Sequence, residues 1–112
     1  MSRRAEATLA RAAPVYAALG DATRLRLLEK LAEGEPLSIA QLTTGADISR
    51  QAITKHLRVL AGAGLVRDER LGRERRWALE PGRLTEARSG LDALSRRWDE
   101  ALARLKAFVE TE

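Results

Sequence analysis

Residues 83–110 carry apolar side chains at intervals alternating between three and four: Leu84, Ala87, Leu91, Leu94, Trp98, Ala101, Leu105 and Phe108. A strand would show period two, so this seven-residue repeat marks a helix with one apolar seam. At about 1.5 Å per residue the segment spans roughly 42 Å. The chain has 112 residues, the size of one domain, with little room for two independent cores. Such a helix is longer than a small domain needs to cover its own core, and a helix from a partner is its expected use. The plainer alternative is a stripe that only covers the monomer core. It accounts less well for this length, and for a second apolar stripe made by Leu9, Ala12, Ala13, Tyr16 and Ala17.

The rest of the chain divides into four shorter helical segments and a hairpin. Pro14 interrupts the first stripe and is expected to kink or break that helix. Gly20 ends it, and Asp21 is suited to cap a helix with Leu25, Leu28 and Leu31 on one face, stopping near Gly34-Glu35-Pro36. Ser38 and Gln41 have capping-box spacing, which predicts a short helix closed by Gly45. Ser49 is the next N-cap, for a helix running to about Ala61. The period then changes. Residues 65–71 and 75–79 read as strands around Gly72-Arg73-Glu74, a β-hairpin with a basic tip that Pro81-Gly82 ends. The expected fold is mainly α with a small β-hairpin, in a single domain covering 1–112.

Residues 39–45, 46–48 and 49–61 have the lengths of a helix, a tight turn and a second helix, the spacing of a helix-turn-helix. On a helical wheel Ile53, Leu57 and Leu60 share one face of the second helix, and Gln51, Lys55 and Arg58 the opposite one, with Thr54 at its edge. Arg and Lys suit guanine edges or phosphates, Gln suits adenine, and Thr can meet a thymine methyl. The plain alternative is a solvated helix face. Charge argues against it: residues 49–83 hold nine Arg/Lys against four acids, an excess of +5, whereas the other 77 residues sum to −1. A localised surplus of this kind suits a polyanion. His56 lies at the edge of the apolar face, where a structural hydrogen-bonded histidine is the expected reading.

Composition excludes most alternatives. With 45% hydrophobic and 32% charged residues, the chain reads as a soluble globular protein, and charges interrupt every candidate membrane span. The N-terminal residues lack a signal-peptide pattern, so a cytoplasmic, nucleoid-associated protein of bacterial or archaeal type is expected. Zero Cys and one His remove disulfides, thiolate metal sites and His-pair catalysis. No nucleophile–base pair or Gly-rich phosphate loop is visible, so the chain is read as a non-enzyme with no cofactor.

The run Leu19-Gly-Asp-Ala-Thr-Arg-Leu-Arg-Leu-Leu-Glu-Lys-Leu31, then Ile48-Ser-Arg-Gln-Ala-Ile-Thr-Lys-His-Leu57, then Ala63-Gly-Leu-Val66 and Gly72-Arg73 with Trp77-Ala-Leu79, resembles the ArsR/SmtB winged-helix repressors over residues 9–110. The resemblance implies a winged helix-turn-helix with the reading unit at about 38–61, a wing at about 65–79, and long dimerisation helices at about 5–19 and 83–110. It implies a homodimer on double-stranded DNA at an inverted repeat, with Gln51, Thr54, Lys55 and Arg58 on bases. Ser49, Arg50, Arg73 and Arg75 would hold phosphates, while Arg70 and Arg76 are weaker candidates on strand alternation. Leu9, Tyr16, Leu91, Leu94, Trp98, Leu105 and Phe108 would form the subunit seam. Metal-sensing members carry a Cys-rich motif where this chain has Leu37-Ser38-Ile39-Ala40-Gln41-Leu42, or His ligands on the last helix, where it has only Asp92, Asp99, Glu100 and Glu110. The resemblance is therefore to non-metal members, with an unknown small-molecule effector left open. The alternative function is a winged-helix interaction module docking an acidic protein partner.

Overall fold

A computed structural model describes residues 2–111. In chain order it has α1 (Arg3–Leu19), α2 (Ala22–Leu31), β1 (Leu37–Ser38), α3 (Ile39–Thr43), α4 (Arg50–Gly62), β2 (Val66–Leu71), β3 (Glu74–Leu79) and α5 (Pro81–Glu110). The strands form one antiparallel sheet in the order β1-β3-β2. Among the described residues no helix is long and apolar enough to cross a membrane.

Local chemistry sets most boundaries. The side chains of Ser2, Asp21, Ser38 and Ser49 each accept a backbone N–H in the first turn of the helix that follows. At α3 the capping box is complete, because the Gln41 side chain also accepts the Ser38 N–H at 2.9 Å. Pro81 is the first residue of α5 rather than the end of the hairpin, a place where its missing N–H costs nothing. Leu71 pairs with Glu74, so Gly72-Arg73 is a two-residue turn, and Gly72 supplies the positive φ of +67° it needs.

Two expectations are corrected, and one element is new. Pro14 neither breaks nor ends α1, which is continuous from Arg3 to Leu19. Pro14 and Ala10 are both exposed, so the carbonyl freed by the missing N–H faces water. Leu25 is 49% exposed, and the core face of α2 is instead made by Leu27 and Leu31 with Leu28 half-buried. Leu25 and Leu27 lie about 160° apart around a helix, so only one of them can face the core. Strand β1 was not anticipated; two residues carry no periodicity, and Leu37 pairs with Trp77 and Ser38 with Arg76 only through the fold.

The core joins Leu27 and Leu31 of α2, Leu42 of α3, Ile53, Leu57 and Leu60 of α4, and Leu65, Val66 and Trp77 of the hairpin. The same core continues through Ala12, Val15 and Ala18 of α1 to Ala87 of α5, where the two helices cross. There the Tyr16 hydroxyl donates to the Ala87 carbonyl at 2.6 Å, and Arg11 pairs with Glu86 at 3.0 Å. Gly90 is buried at this crossing, and a Cβ on it would lie 2.7 Å from Tyr16 Oη and 3.2 Å from Leu9 Cδ2. Leu9 and Tyr16 are half-buried at this crossing. Beyond the crossing α5 runs alone. Trp98 is 65% and Phe108 63% exposed, and every described residue from 95 onward is exposed.

The start of α2 is fastened to α4. Arg24 Nε donates to the Ala18 carbonyl at 2.6 Å, its Nη1 lies 3.4 Å from His56 Nδ1, and that nitrogen is 3.8 Å from Asp21 Oδ2. The Arg24 backbone N–H bonded to Asp21 holds the carboxyl below its ordinary value, against desolvation, with smaller help from the charges of Arg24 and His56.

Two outcomes are expected. Gly90→Ala should destabilise the protein by about 1 kcal/mol, since overpacking of about 1–3 kcal/mol opposes a helix-propensity gain of about 1 kcal/mol. In a Tyr16→Phe background the same change should be neutral or stabilising, as read by urea unfolding; equal penalties in both backgrounds contradict the crossing geometry. For Asp21, the folded state binds its proton more weakly than the unfolded chain, so its contribution is complete above pH 3.8 and is lost as pH falls through the folded-state pKa. The urea midpoint of wild type should exceed that of Asp21→Asn at neutral pH, with the gap closing below pH 3.8. A gap unchanged down to about pH 2 would contradict this linkage.

Candidate nucleic-acid interface

The helix-turn-helix is α3, the turn at 44–49 and α4. Gly45 takes a φ of +74° just past α3, a conformation that glycine adopts without strain. Lys30, which sequence reasoning passed over, fastens the end of α3: its Nζ donates to the carbonyls of Leu42 at 3.2 Å and Thr44 at 3.1 Å. A cation at a helix C-terminus satisfies orphan carbonyls and meets the negative end of the helix dipole. No local motif signals this, because the partners lie 12 and 14 residues away.

Ile53, Leu57 and Leu60 are buried to 1% exposure or less, which sets the rotation of α4 about its axis. Gln51, Lys55 and Arg58 are exposed on the opposite face, with Arg50 at the first turn and Thr54 half-buried at the margin. Arg50, Lys55 and Arg58 have no ion pair among the described residues. The Thr54 hydroxyl donates to the Arg50 carbonyl at 2.9 Å, so what remains for a base is its lone pairs and methyl group. Ser49 Oγ accepts the Ala52 N–H at 3.1 Å, leaving its hydroxyl hydrogen to donate. His56 is half-buried against α2, as described above, and not on the reading face.

On the hairpin the register separates two populations of arginine. Directly opposed residues share a face. Val66–Leu79, Asp68–Trp77 and Arg70–Arg75 form one face; Arg67–Ala78, Glu69–Arg76 and Leu71–Glu74 form the other. The second face is internally neutralised: Arg67 pairs with Glu69 at 2.9 Å and Glu80 at 3.4 Å, and Arg76 with Glu74 at 2.9 Å. On the first face Arg75 Nε lies 3.3 Å from Asp68, whereas Arg70 has no ion pair among the described residues. Arg73 is exposed at the turn, likewise without one. The local +5 is therefore not evenly available: without an ion pair among the described residues are Arg50, Lys55 and Arg58 on α4, Arg70 and Arg73 on the hairpin, and Arg83 at the start of α5.

The acids Asp92, Asp99, Glu100 and Glu110 are strung along exposed α5. Among the described residues no three His, Cys, Asp or Glu side chains converge as a metal-holding group.

Comparison with known proteins agrees with this architecture. The helix-turn-helix domain family matches residues 19–69. The HTH-type transcriptional regulator Rv2034 of Mycobacterium tuberculosis is 37% identical over 97 residues, covering 87% of each chain. An ArsR-like transcriptional regulator from Rhodococcus is 37% identical with a TM-score of 0.76, covering 91% of this chain and 95% of that one. A homodimeric winged helix-turn-helix DNA-binding domain from Mycobacterium bovis, described as a possible ArsR-family regulator, is 26% identical with a TM-score of 0.63, covering 93% of both chains. The order of elements, the exposed polar face of α4 and these likenesses together place the chain in the ArsR family of winged helix-turn-helix transcriptional regulators.

Proposed function

We propose that the protein is a homodimeric repressor that binds double-stranded DNA at an inverted-repeat operator and carries no metal-sensing site. The carrying observation is the exposed face of α4, where Gln51, Lys55 and Arg58 stand opposite the buried Ile53, Leu57 and Leu60. Gln51, Thr54, Lys55 and Arg58 would meet base edges; Ser49, Arg50, Arg73 and Arg75 would hold the backbone. Dimerisation is supported by the uncovered α5 stripe, with Leu91, Trp98, Leu105 and Phe108 exposed and Leu94 half-buried. Each such side chain is worth about 1.5–3 kcal/mol if fully buried. Leu9 and Tyr16, half-buried where α1 crosses α5, would join that seam. The homodimeric relative of the same architecture supports the same reading. Without Cys and with one His, any effector would be a small molecule rather than a transition metal.

A gel shift with DNA from upstream of the protein's own gene tests this. A shift is expected at about 50 mM salt and should weaken steeply as salt rises. No shift at that salt contradicts the repressor reading and favours docking of an acidic protein partner. Arg58→Ala should weaken operator binding by about 1–3 kcal/mol while leaving random DNA nearly unchanged, as for a guanine-edge contact. Equal weakening on both would make Arg58 a phosphate contact.

A further inference from the structure

Arg70 and Arg75 stand directly opposite one another on β2 and β3. Like charges in that position repel, their Cβ atoms being only about 4.5–5.5 Å apart. They lie on the face that packs Val66 and Trp77 into the core nearer the hairpin's root, and β2 is the strand against which α4 packs. Beyond the core both arginines on this face are exposed. The opposite face, by contrast, has both its arginines held by Glu69, Glu74 and Glu80. One acid, Asp68, serves the two arginines of the inner face, and it reaches Arg75 alone.

We propose that Arg70 and Arg75 form a two-guanidinium clamp for a single DNA backbone phosphate, with Asp68 as the counter-ion that the phosphate displaces. This rests on the DNA-binding reading above and deepens it: Arg70 becomes a backbone contact, and Arg76 does not. Two guanidinium forks match the oxygens of one phosphate, and the phosphate relieves the repulsion between them. Asp68 and Arg75 are both about half exposed, so their ion pair is cheap to open. It also lowers binding to every DNA sequence equally, since a phosphate contact carries no sequence information.

Fluorescence anisotropy of the full chain tests the clamp, using a duplex of about 30 base pairs from the upstream region and a scrambled duplex of equal composition. Binding of each is followed over about 50–300 mM salt for wild type, Arg70→Ala, Arg75→Ala, the Arg70→Ala/Arg75→Ala double variant, Arg76→Ala and Asp68→Asn. Because the two arginines share one phosphate, the double variant should lower the salt slope by about 0.9 and either single variant by less, with both duplexes weakened alike. Arg76→Ala should leave the slope unchanged. Asp68→Asn should tighten both duplexes by up to about five-fold, the worth of an exposed ion pair. Thermal unfolding establishes that each variant is folded. If wild type binds and the double variant keeps its slope or loses about 1.8, as for two separate phosphates, or Arg76→Ala weakens binding as much as Arg70→Ala, the clamp is wrong while the DNA reading stands. An Asp68→Asn variant that binds no tighter overturns the displaced counter-ion. If wild type binds neither duplex, the DNA reading falls and the clamp with it.

Discussion

Burial of Ile53, Leu57 and Leu60 determines what the protein can present to a groove. Each is worth about 1.5–3 kcal/mol when removed from water. Turning α4 by one residue, about 100°, would expose part of that face and bury Lys55 or Arg58 unpaired, at a cost comparable with the stability of a small domain. The reading face is thus a consequence of the core. The other devices around α4 refine its position: Ser49 caps it, Arg24 and His56 tie it to the start of α2, and Lys30 fixes the preceding helix.

Alpha-helix α5 connects this reading unit to assembly. Its first half is held by the α1 crossing, where absence of a side chain at Gly90 lets Tyr16 reach the Ala87 carbonyl. Its second half leaves the body with an apolar stripe uncovered, and the molecule is 68 Å long as a result. An isolated stripe that large is a liability in water and an asset in an interface. Because the crossing fixes the angle of α5, a partner packed along it would fix the separation of two α4 helices. The DNA reading and the dimer reading are in that sense one geometric proposition.

Sequence reasoning recovered what is encoded locally. The caps at Asp21, Ser38 and Ser49, the glycine closing α3, the hairpin turn and the two faces of α4 all follow from residues within a few positions of one another. It failed where a neighbour decides the outcome. Pro14 is tolerated because its side of α1 is free, and Leu25 faces outward because Leu27 and Leu31 meet the core. The two-residue β1 exists only by pairing with β3. The candidate site was legible in outline for the same reason, and incomplete in the wing. Counting arginines cannot distinguish Arg67 and Arg76, which glutamates hold, from Arg70 and Arg73, which have no ion pair among the described residues; strand register does.

The most direct test of the central claim is selection of binding sites from random double-stranded DNA by the full chain. A two-fold dimer with its α4 helices in successive major grooves should recover an inverted repeat whose half-site centres lie about 10–10.5 base pairs apart. Recovery of a single unrepeated site, or of no enriched sequence, would contradict it.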